Sequence, residues 1–294
     1  MPSMTIAELL RVSSDYLKIK KIDQPRLTAE ILLSHSLEVK RLDLYLNGEK
    51  PLTENEIGRF RNLVRRRVAK EPVQYITGGQ EFRSMHFAVG PGVLIPRPET
   101  ELLVDRVLTR LSEEGRPERP GVRILDLGTG CGTIAVALAT ILSGAYICAT
   151  DISPEALAYA CKNASSHGLK SRIDFVLGEW LEPFSPRSCG FDVIASNPPY
   201  VSTSEWSELQ VEIRDYEPKT ALTAGEDGMD DIRRIISAAP MHMAPGGWLF
   251  IETAPWHTEK ALRMIEATGR FSVRERSMDY GRRYRVVEAQ LDEN

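Results

Sequence analysis

Arg123-Ile124-Leu125-Asp126-Leu127-Gly128-Thr129-Gly130-Cys131-Gly132 is an apolar run that breaks into alternating glycines, and Thr133-Ile134-Ala135-Val136-Ala137-Leu138-Ala139 behind it reads as a helix. A strand, a tight turn and a helix in that order form the unit at which an α/β sheet binds a nucleotide-like ligand. Glycine lets the backbone turn sharply and approach the ligand closely. The first turn of the following helix offers unpaired N–H groups that suit a carboxylate. A dinucleotide site would show G-x-G-x-x-G, whereas here the third glycine comes one position early. G-x-G-x-G after an acidic residue points instead to S-adenosylmethionine.

The next strands agree. Ala145-Tyr146-Ile147-Cys148-Ala149-Thr150 ends on Asp151, about twenty residues on, where an acid accepts both ribose hydroxyls. The alternative for Asp151 is a helix cap ahead of Pro154-Glu155, a role that Ser153 fills equally well. Ile173-Asp174-Phe175-Val176-Leu177-Gly178 ends in Glu179-Trp180, where a backbone N–H, an acid or an aromatic face meets an adenine. A Trp in that position is otherwise core filler.

A fourth strand, Phe191-Asp192-Val193-Ile194-Ala195-Ser196, runs into Asn197-Pro198-Pro199-Tyr200. Each proline fixes its own φ, lacks an N–H and pushes the preceding residue toward an extended conformation. The result is a stiff segment rich in acceptors. The Asn197 side-chain oxygen and the Pro198 carbonyl can each take one hydrogen of an NH2 group, and the Tyr200 ring can pack on its flat face. Asn-Pro-Pro is also common loop punctuation, so the reading rests on its context. Three strand ends spaced for one cofactor, and a fourth carrying an amine slot, describe a methyltransferase.

At 294 residues and 42% hydrophobic content the chain has room for about two domains. A net charge of −4 argues against a surface that coats nucleic acid. No N-terminal run has the pattern of a signal peptide, and no apolar stretch is long enough to span a bilayer. Cytoplasm is the expected location. Cys131, Cys148, Cys161 and Cys189 form no C-x-x-C pair and read as reduced thiols, while the five histidines lack ligand spacing. No metal is expected.

Residues 1–76 have a different texture, with Ile6, Leu9, Leu10, Leu27, Ile31, Leu32, Ile57, Phe60 and Val64 recurring at helical intervals. This predicts a small helical domain. Thr53 and Glu56 mark a capping box before a helix that runs through Arg65-Arg66-Arg67. The arginine run reads as a solvated face, or as part of a partner-docking surface. Residues 77–97 are expected to form a β-hairpin linker around Gly90-Pro91-Gly92, leading to a rigid Pro96-Arg97-Pro98. The catalytic domain then covers 98–294. Its helix begins near Thr100, its loop Glu113–Gly121 precedes the first sheet strand, and a closing strand pair near the C-terminus has its last member antiparallel.

The combination of a helical N-terminal domain with Tyr75-Ile76-Thr77-Gly78, Leu94-Ile95-Pro96-Arg97-Pro98-Glu99-Thr100-Glu101, the glycine turn, Ser196-Asn197-Pro198-Pro199-Tyr200 and Tyr216-Glu217-Pro218 resembles the PrmC (HemK) family over nearly the whole chain. The resemblance implies a Rossmann-like class I S-adenosylmethionine-dependent methyltransferase sheet beside a small helical substrate-docking domain. It implies methyl transfer to the side-chain amide nitrogen of the glutamine in the Gly-Gly-Gln motif of peptide chain release factors. Gly128, Thr129, Gly130, Cys131, Gly132, Asp151 and Trp180, with Asn197, would bind the cofactor. Asn197, Pro198, Pro199 and Tyr200 would bind the glutamine, with Asn197, Pro198 and Tyr200 acting in catalysis. A monomer working on a release factor, without membrane or nucleic acid, is the expectation. Glutamine methylation of a ribosomal protein, adenine amino-methylation of DNA or RNA, and a non-catalytic adaptor remain as alternatives. Gly78-Gly79-Gln80 in this chain is itself a Gly-Gly-Gln and is read as a chance match.

Overall fold

The computed structural model describes residues 4–115, 121–186 and 190–293. Cys189 and most of the loop before the first sheet strand lie outside the described residues. Two compact units are present, one running from the N-terminus to Gly79 together with Gln210–Tyr216, the other comprising Gln80–Leu209 and Glu217–Asn294.

The first unit is helical, with helices at Ile6–Ile19, Pro25–Leu37, Arg41–Leu46, Glu54–Val68 and Val73–Thr77. Its core gathers Leu9, Leu10, Leu17, Leu32, Leu33, Phe60 and Val64, the residues that recur at three- and four-residue spacing. The capping box at Thr53 forms as its sequence dictates: the Thr53 hydroxyl accepts from Glu56 N at 3.2 Å, and Glu56 accepts from Thr53 N at 2.7 Å. The arginine run is exposed at Arg65 and Arg66, as expected, and departs from expectation at Arg67. Arg67 is buried rather than solvated, donates to the Glu71 carbonyl at 3.0 Å and pairs with Glu212 at 2.6 Å. A buried guanidinium needs a fixed acceptor set, and the later segment brings it. Tyr216 reinforces the attachment by donating its hydroxyl to the Ala69 carbonyl at 2.7 Å. Sequence alone placed 210–216 in the catalytic domain.

In the second unit a two-stranded sheet of β1 (Gly79–Phe82) and β2 (Met85–Ala88) precedes a seven-stranded sheet. The hairpin turns at Arg83-Ser84, both at positive φ, and not at Gly90-Pro91-Gly92. Two consecutive positive φ values are the signature of the tight turn that matches strand twist. Neither residue is the Gly, Asn or Asp that favours positive φ in such a turn, so the turn was not marked in the sequence.

The larger sheet consists of β3 (Arg123–Leu127), β4 (Tyr146–Asp151), β5 (Ile173–Leu177), β6 (Phe191–Ser196), β7 (Met243–Glu252), β8 (Phe271–Met278) and β9 (Tyr284–Leu291), in the order β5-β4-β3-β6-β7-β9-β8. Strands β3 to β7 pair in parallel and β9 runs antiparallel to both its neighbours. Side chains alternate between two cores, as the strand period requires. Ile124, Val193 and Phe250 face the helices Thr100–Glu113, Thr133–Ile141 and Pro154–Ser166, while Leu125, Ile194, Leu249 and Val287 face Asp230–Ala238 and Thr258–Ala267. Fully burying each such aliphatic side chain stabilises the fold by roughly 1.5–3 kcal/mol. Among the described residues, no helix is long and apolar enough to cross a membrane.

Asn163 ties the hairpin to the glycine turn. Its Oδ1 accepts from Ala88 N at 2.8 Å, and its Nδ2 donates to the carbonyls of Ala88 at 3.0 Å and Cys131 at 2.8 Å. The side chain is 1% exposed, and truncation removes the partner of the buried Cys131 carbonyl and of both half-buried backbone groups of Ala88. Asn163→Ala is expected to lower the unfolding free energy by about 2–4 kcal/mol. In urea titration this should move the midpoint down with the slope unchanged; an unshifted midpoint would show that the contacts contribute nothing.

Candidate active site

The sheet has its switch point between β3 and β6, and this is where the site forms. Leu127, the last residue of β3, lies opposite both Thr150 of β4 and Ser196 of β6. The buried Ser196 hydroxyl donates to the Leu127 carbonyl at 2.8 Å, pinning the two strand ends together. The glycine turn leaves one end and Asn197-Pro198-Pro199-Tyr200 leaves the other. Both open on one cavity of about 560 Å³, a size usual for a cofactor or drug-sized ligand.

Of the residues expected to hold the cofactor, Gly128, Thr129, Gly130, Cys131, Asp151, Trp180 and Asn197 all line this cavity. Gly132 does not. It caps the helix Thr133–Ile141 at φ +89°, and a Cβ there would lie 3.2 Å from Ala160 Cα. Its glycine is required by helix packing. Gly128 is required by the cavity wall, since a Cβ on it would meet the Trp180 ring at 3.2 Å. Trp180 takes a left-handed backbone, φ +48°, and is anchored by donating Nε1 to Asp231 at 3.1 Å. A left-handed non-glycine residue costs of order 1–3 kcal/mol and is held by its surroundings.

Asp151 is fixed by two backbone donors, with Oδ2 accepting from Gly130 N at 2.9 Å and Oδ1 from Ser153 N at 2.9 Å. Ser153 is the helix cap, through its hydroxyl accepting from Ala156 N at 3.1 Å. That leaves Asp151 oriented at the rim with acceptor capacity on each oxygen. Burial raises its pKa above the usual aspartate value, against the pull of the Ser153 and Gly130 amides. Asp126 braces the turn from beneath, accepting from Thr129 Oγ1 at 2.6 Å and Ala135 N at 3.1 Å. Its burial pushes its pKa up to about 7. Burial likewise raises the Cys131 thiol to about 12, so it is an inert wall residue.

At the position expected of the amine slot lies a separate hollow of about 20 Å³ lined by Pro198, Tyr200, Val201 and Leu222, which shares Asn197, Pro199, Leu94, Arg97 and Ala221 with the main cavity. Such a volume suits a group the size of one water molecule, and an NH2 is of that size. Its loop is held by Tyr200 N and Val201 N, which donate to the Leu222 carbonyl at 3.2 and 2.8 Å. Asn197 donates Nδ2 to Thr100 Oγ1 at 3.1 Å.

Several wall residues escaped the sequence reading. Gly92, Val93, Leu94, Pro96 and Arg97, taken as linker, form one side of the cavity. They are secured by Glu217, a carboxylate 1% exposed, whose Oε2 accepts from Ile95 N at 2.9 Å and Oε1 from Arg97 at 2.5 Å. The two motif fragments 94–97 and 216–218 are therefore one structure. Asp231 and Thr100 also line the cavity; Thr100 lay within the Leu94–Glu101 motif but was given no role, and nothing in the local sequence distinguishes Asp231 from an ordinary first-turn helix residue.

The donor and acceptor set fits S-adenosylmethionine: a glycine-floored wall under an aromatic ring, a rim carboxylate for ribose, and a helix start for a carboxylate. Comparison with known proteins agrees. Residues 8–78 match the PrmC N-terminal domain and residues 118–279 a methyltransferase domain. The chain is 42% identical over 265 residues to a release factor glutamine methyltransferase of Geobacter sulfurreducens, covering 90% of this chain and 89% of that one. It is 44% identical over 250 residues to one of Chlorobaculum tepidum, covering 84% and 85%. A solved methyltransferase from Pyrococcus furiosus is similar in fold at a TM-score of 0.51 and 17% identity, covering 80% of this chain and 98% of that one.

If the Asp151 carboxylate accepts the ribose hydroxyls, Asp151→Ala should weaken S-adenosylmethionine binding by at least about tenfold in calorimetry. The wild-type affinity should also fall as pH falls through the raised Asp151 pKa, because only the ionised form accepts both hydrogens. An affinity flat from neutral pH down to the ordinary aspartate range would contradict that role.

Proposed function

Because this chain belongs to the release factor glutamine methyltransferase family, we propose that it transfers a methyl group from S-adenosylmethionine to the side-chain amide nitrogen of the glutamine in the Gly-Gly-Gln motif of peptide chain release factors. It acts in the cytoplasm, on a protein rather than a nucleic acid or membrane. The observation that carries the reading is the pairing of Leu127 with Ser196, which sets an acceptor-rich slot beside the glycine turn on one cavity.

An amide nitrogen is a weak nucleophile because its lone pair is delocalised into the carbonyl. When bound, S-adenosylmethionine supplies an electrophilic methyl on a positively charged sulfur. What the protein must supply is alignment. Gly128, Thr129, Gly130, Cys131, Asp151 and Trp180 hold the donor side. Asn197 Oδ1 and the Pro198 carbonyl each accept one amide hydrogen, and the Tyr200 ring limits rotation of the amide plane. With both hydrogens engaged, the nitrogen lone pair is turned toward the donor. Placement of this kind can remove up to about 7 kcal/mol or more of a barrier. The same two oxygens stabilise the positive charge that builds on nitrogen. The extra proton becomes strongly acidic after transfer and leaves to solvent, so no side-chain base is assigned.

Tyr200 takes no part in proton transfer. Burial, with the nearby Glu252 carboxylate, raises its phenol to about 12.

The test is methyl transfer from labelled S-adenosylmethionine to a purified release factor, with its Gly-Gly-Gln changed to Gly-Gly-Ala as control. Label on that glutamine, absent from the control, is expected. Asn197→Ala should reduce turnover by about 10²–10³-fold while leaving cofactor affinity within a few-fold of wild type. Label absent from the release factor but present on a ribosomal protein would refute the substrate and keep the chemistry. A parallel loss of cofactor affinity would refute the division of roles.

A further inference from the structure

The order of the strand ends fixes how the cofactor lies along the site. Strands β5, β4, β3 and β6 are neighbours in that sequence. The methyl group is used beside Asn197, just past the end of β6, and the ribose belongs at Asp151, the end of β4. A ligand that runs from β6 to β4 continues in the same direction to the end of β5, so its adenine lies there. This placement rests on the roles of Asp151 and Asn197 given above.

At that end the cavity is lined by Gly178, Glu179 and Trp180, by Ile152 beside Asp151, and by Asp231 from the helix Asp230–Ala238. Ile152 is 61% exposed, an apolar surface that a flat base would cover. Adenine carries one strong donor, its 6-amino group, and a site that selects it must present an acceptor. Two carboxylates are within this stretch of wall, Glu179 and Asp231.

They are not equivalent. The Glu179 side chain forms an ion pair with Arg234, and its backbone carbonyl accepts from Glu182 N at 3.0 Å. Asp231 is half-buried and accepts from Trp180 Nε1 at 3.1 Å through Oδ1, while Oδ2 has no hydrogen-bond partner among the described residues. An acid in a first helical turn ordinarily needs no ligand to explain it, since it complements the helix dipole. Here the exposed Asp230 already does so, and pairs with Arg233 at 2.7 Å. Asp231, one residue on, is instead held at the cavity wall by the Trp180 indole.

We propose that Asp231 is the residue that selects adenine, accepting a hydrogen of the 6-amino group on Oδ2 while Oδ1 holds the Trp180 ring. The ring, in contact with the glycine turn at Gly128, shapes the wall, and Asp231 reads the edge of the base. A base with hydrogen in place of the amino group leaves that oxygen without its donor. The assignment concerns the cofactor alone and holds whichever protein accepts the methyl group.

The experiment measures, by calorimetry on the full chain, binding of S-adenosylhomocysteine and of its analogue with hydrogen in place of the 6-amino group. Wild type should bind the adenine form about 10–100-fold more tightly, the range for a hydrogen bond to a charged acceptor. Asp231→Ala should weaken the adenine form by that factor and leave the analogue within a few-fold, so that the preference falls to near one. Glu179→Ala should keep the preference. Asp151→Ala should weaken both forms alike, because the ribose is common to them.

An aspartate that only anchors Trp180 would behave differently. Asp231→Ala would then weaken both ligands equally with the preference intact, and that result overturns the inference. A wild type without preference overturns it too, as does a preference lost in Glu179→Ala and kept in Asp231→Ala. Binding of both forms unaltered by Asp151→Ala would overturn the ribose reading, and the placement of the base with it. Should Asp231→Ala not fold, Asp231→Asn decides. Its amide oxygen keeps the Trp180 bond and its NH2 faces the base, so the preference should fall at least as far, and a preserved preference overturns the inference.

Discussion

Leu127 and Ser196 sit opposite one another at the carboxyl ends of neighbouring parallel strands, and the rest of the site hangs from that register. Side chains in a strand alternate faces, so a slip by one residue would exchange the two cores and point the Asn197 loop away from the glycine turn. The hydroxyl of Ser196 on the Leu127 carbonyl closes the pair at the point where regular pairing stops. From this fixed pair, β4 adds Asp151 on one side and β7 adds Glu252 on the other. The main cavity and the small hollow beside it are thus placed by one backbone ladder, with loops contributing only what the strand ends aim.

The site is unusually dependent on buried carboxylates. Asp126 beneath the glycine turn, Glu217 inside the wall and Glu252 behind the slot are each almost wholly removed from water. Desolvation disfavours the charged form, so each must be compensated by donors, or shift its pKa. Glu217 is compensated by a backbone amide and a guanidinium, and serves as a rivet. Glu288, in the strand next to β7, is compensated more fully, by Arg106, Arg110 and Ser277, and its pKa is lowered despite burial. Asp126 and Glu252 each retain one unpartnered oxygen, and both sit near neutrality.

What was legible in the sequence follows the same division. The glycine turn, Asp151, Trp180 and Asn197-Pro198-Pro199-Tyr200 are local signals, because each is a strand end followed by a residue whose chemistry makes sense alone. The strands themselves also followed from local patterns of apolar residues, whereas the reversed last strand was expected only from the cofactor class that the site suggested. Glu217 and Thr100 stood inside quoted motifs, but their tasks were opaque, because their partners are far along the chain: Ile95 lies 122 residues from Glu217, and Asn197 lies 97 from Thr100. At Gly132 the local motif and the packing point in different directions. Its local motif suggests ligand approach, yet its tight neighbour is Ala160 of another helix. Arg67 looked like surface because its run of like charge is ordinarily solvated, and its counter-charge arrives only at Glu212.

The attachment of Gln210–Tyr216 to the helical unit has a consequence for the order in which the chain becomes structured. Ala69 and Tyr216 meet although 147 residues separate them. A chain emerging from N- to C-terminus has all five leading helices available early, but the buried Arg67 has no carboxylate until Glu212 has been made. Local helical contacts form fast, whereas a contact of such separation must wait for most of the sheet unit between its ends. The helical unit is therefore first to begin folding and cannot be first to finish. A fragment cut after Gly79 would lack the Glu212 carboxylate on Arg67 and the Tyr216 hydroxyl on Ala69, so the first unit is not a self-sufficient module for excision, fusion or exchange.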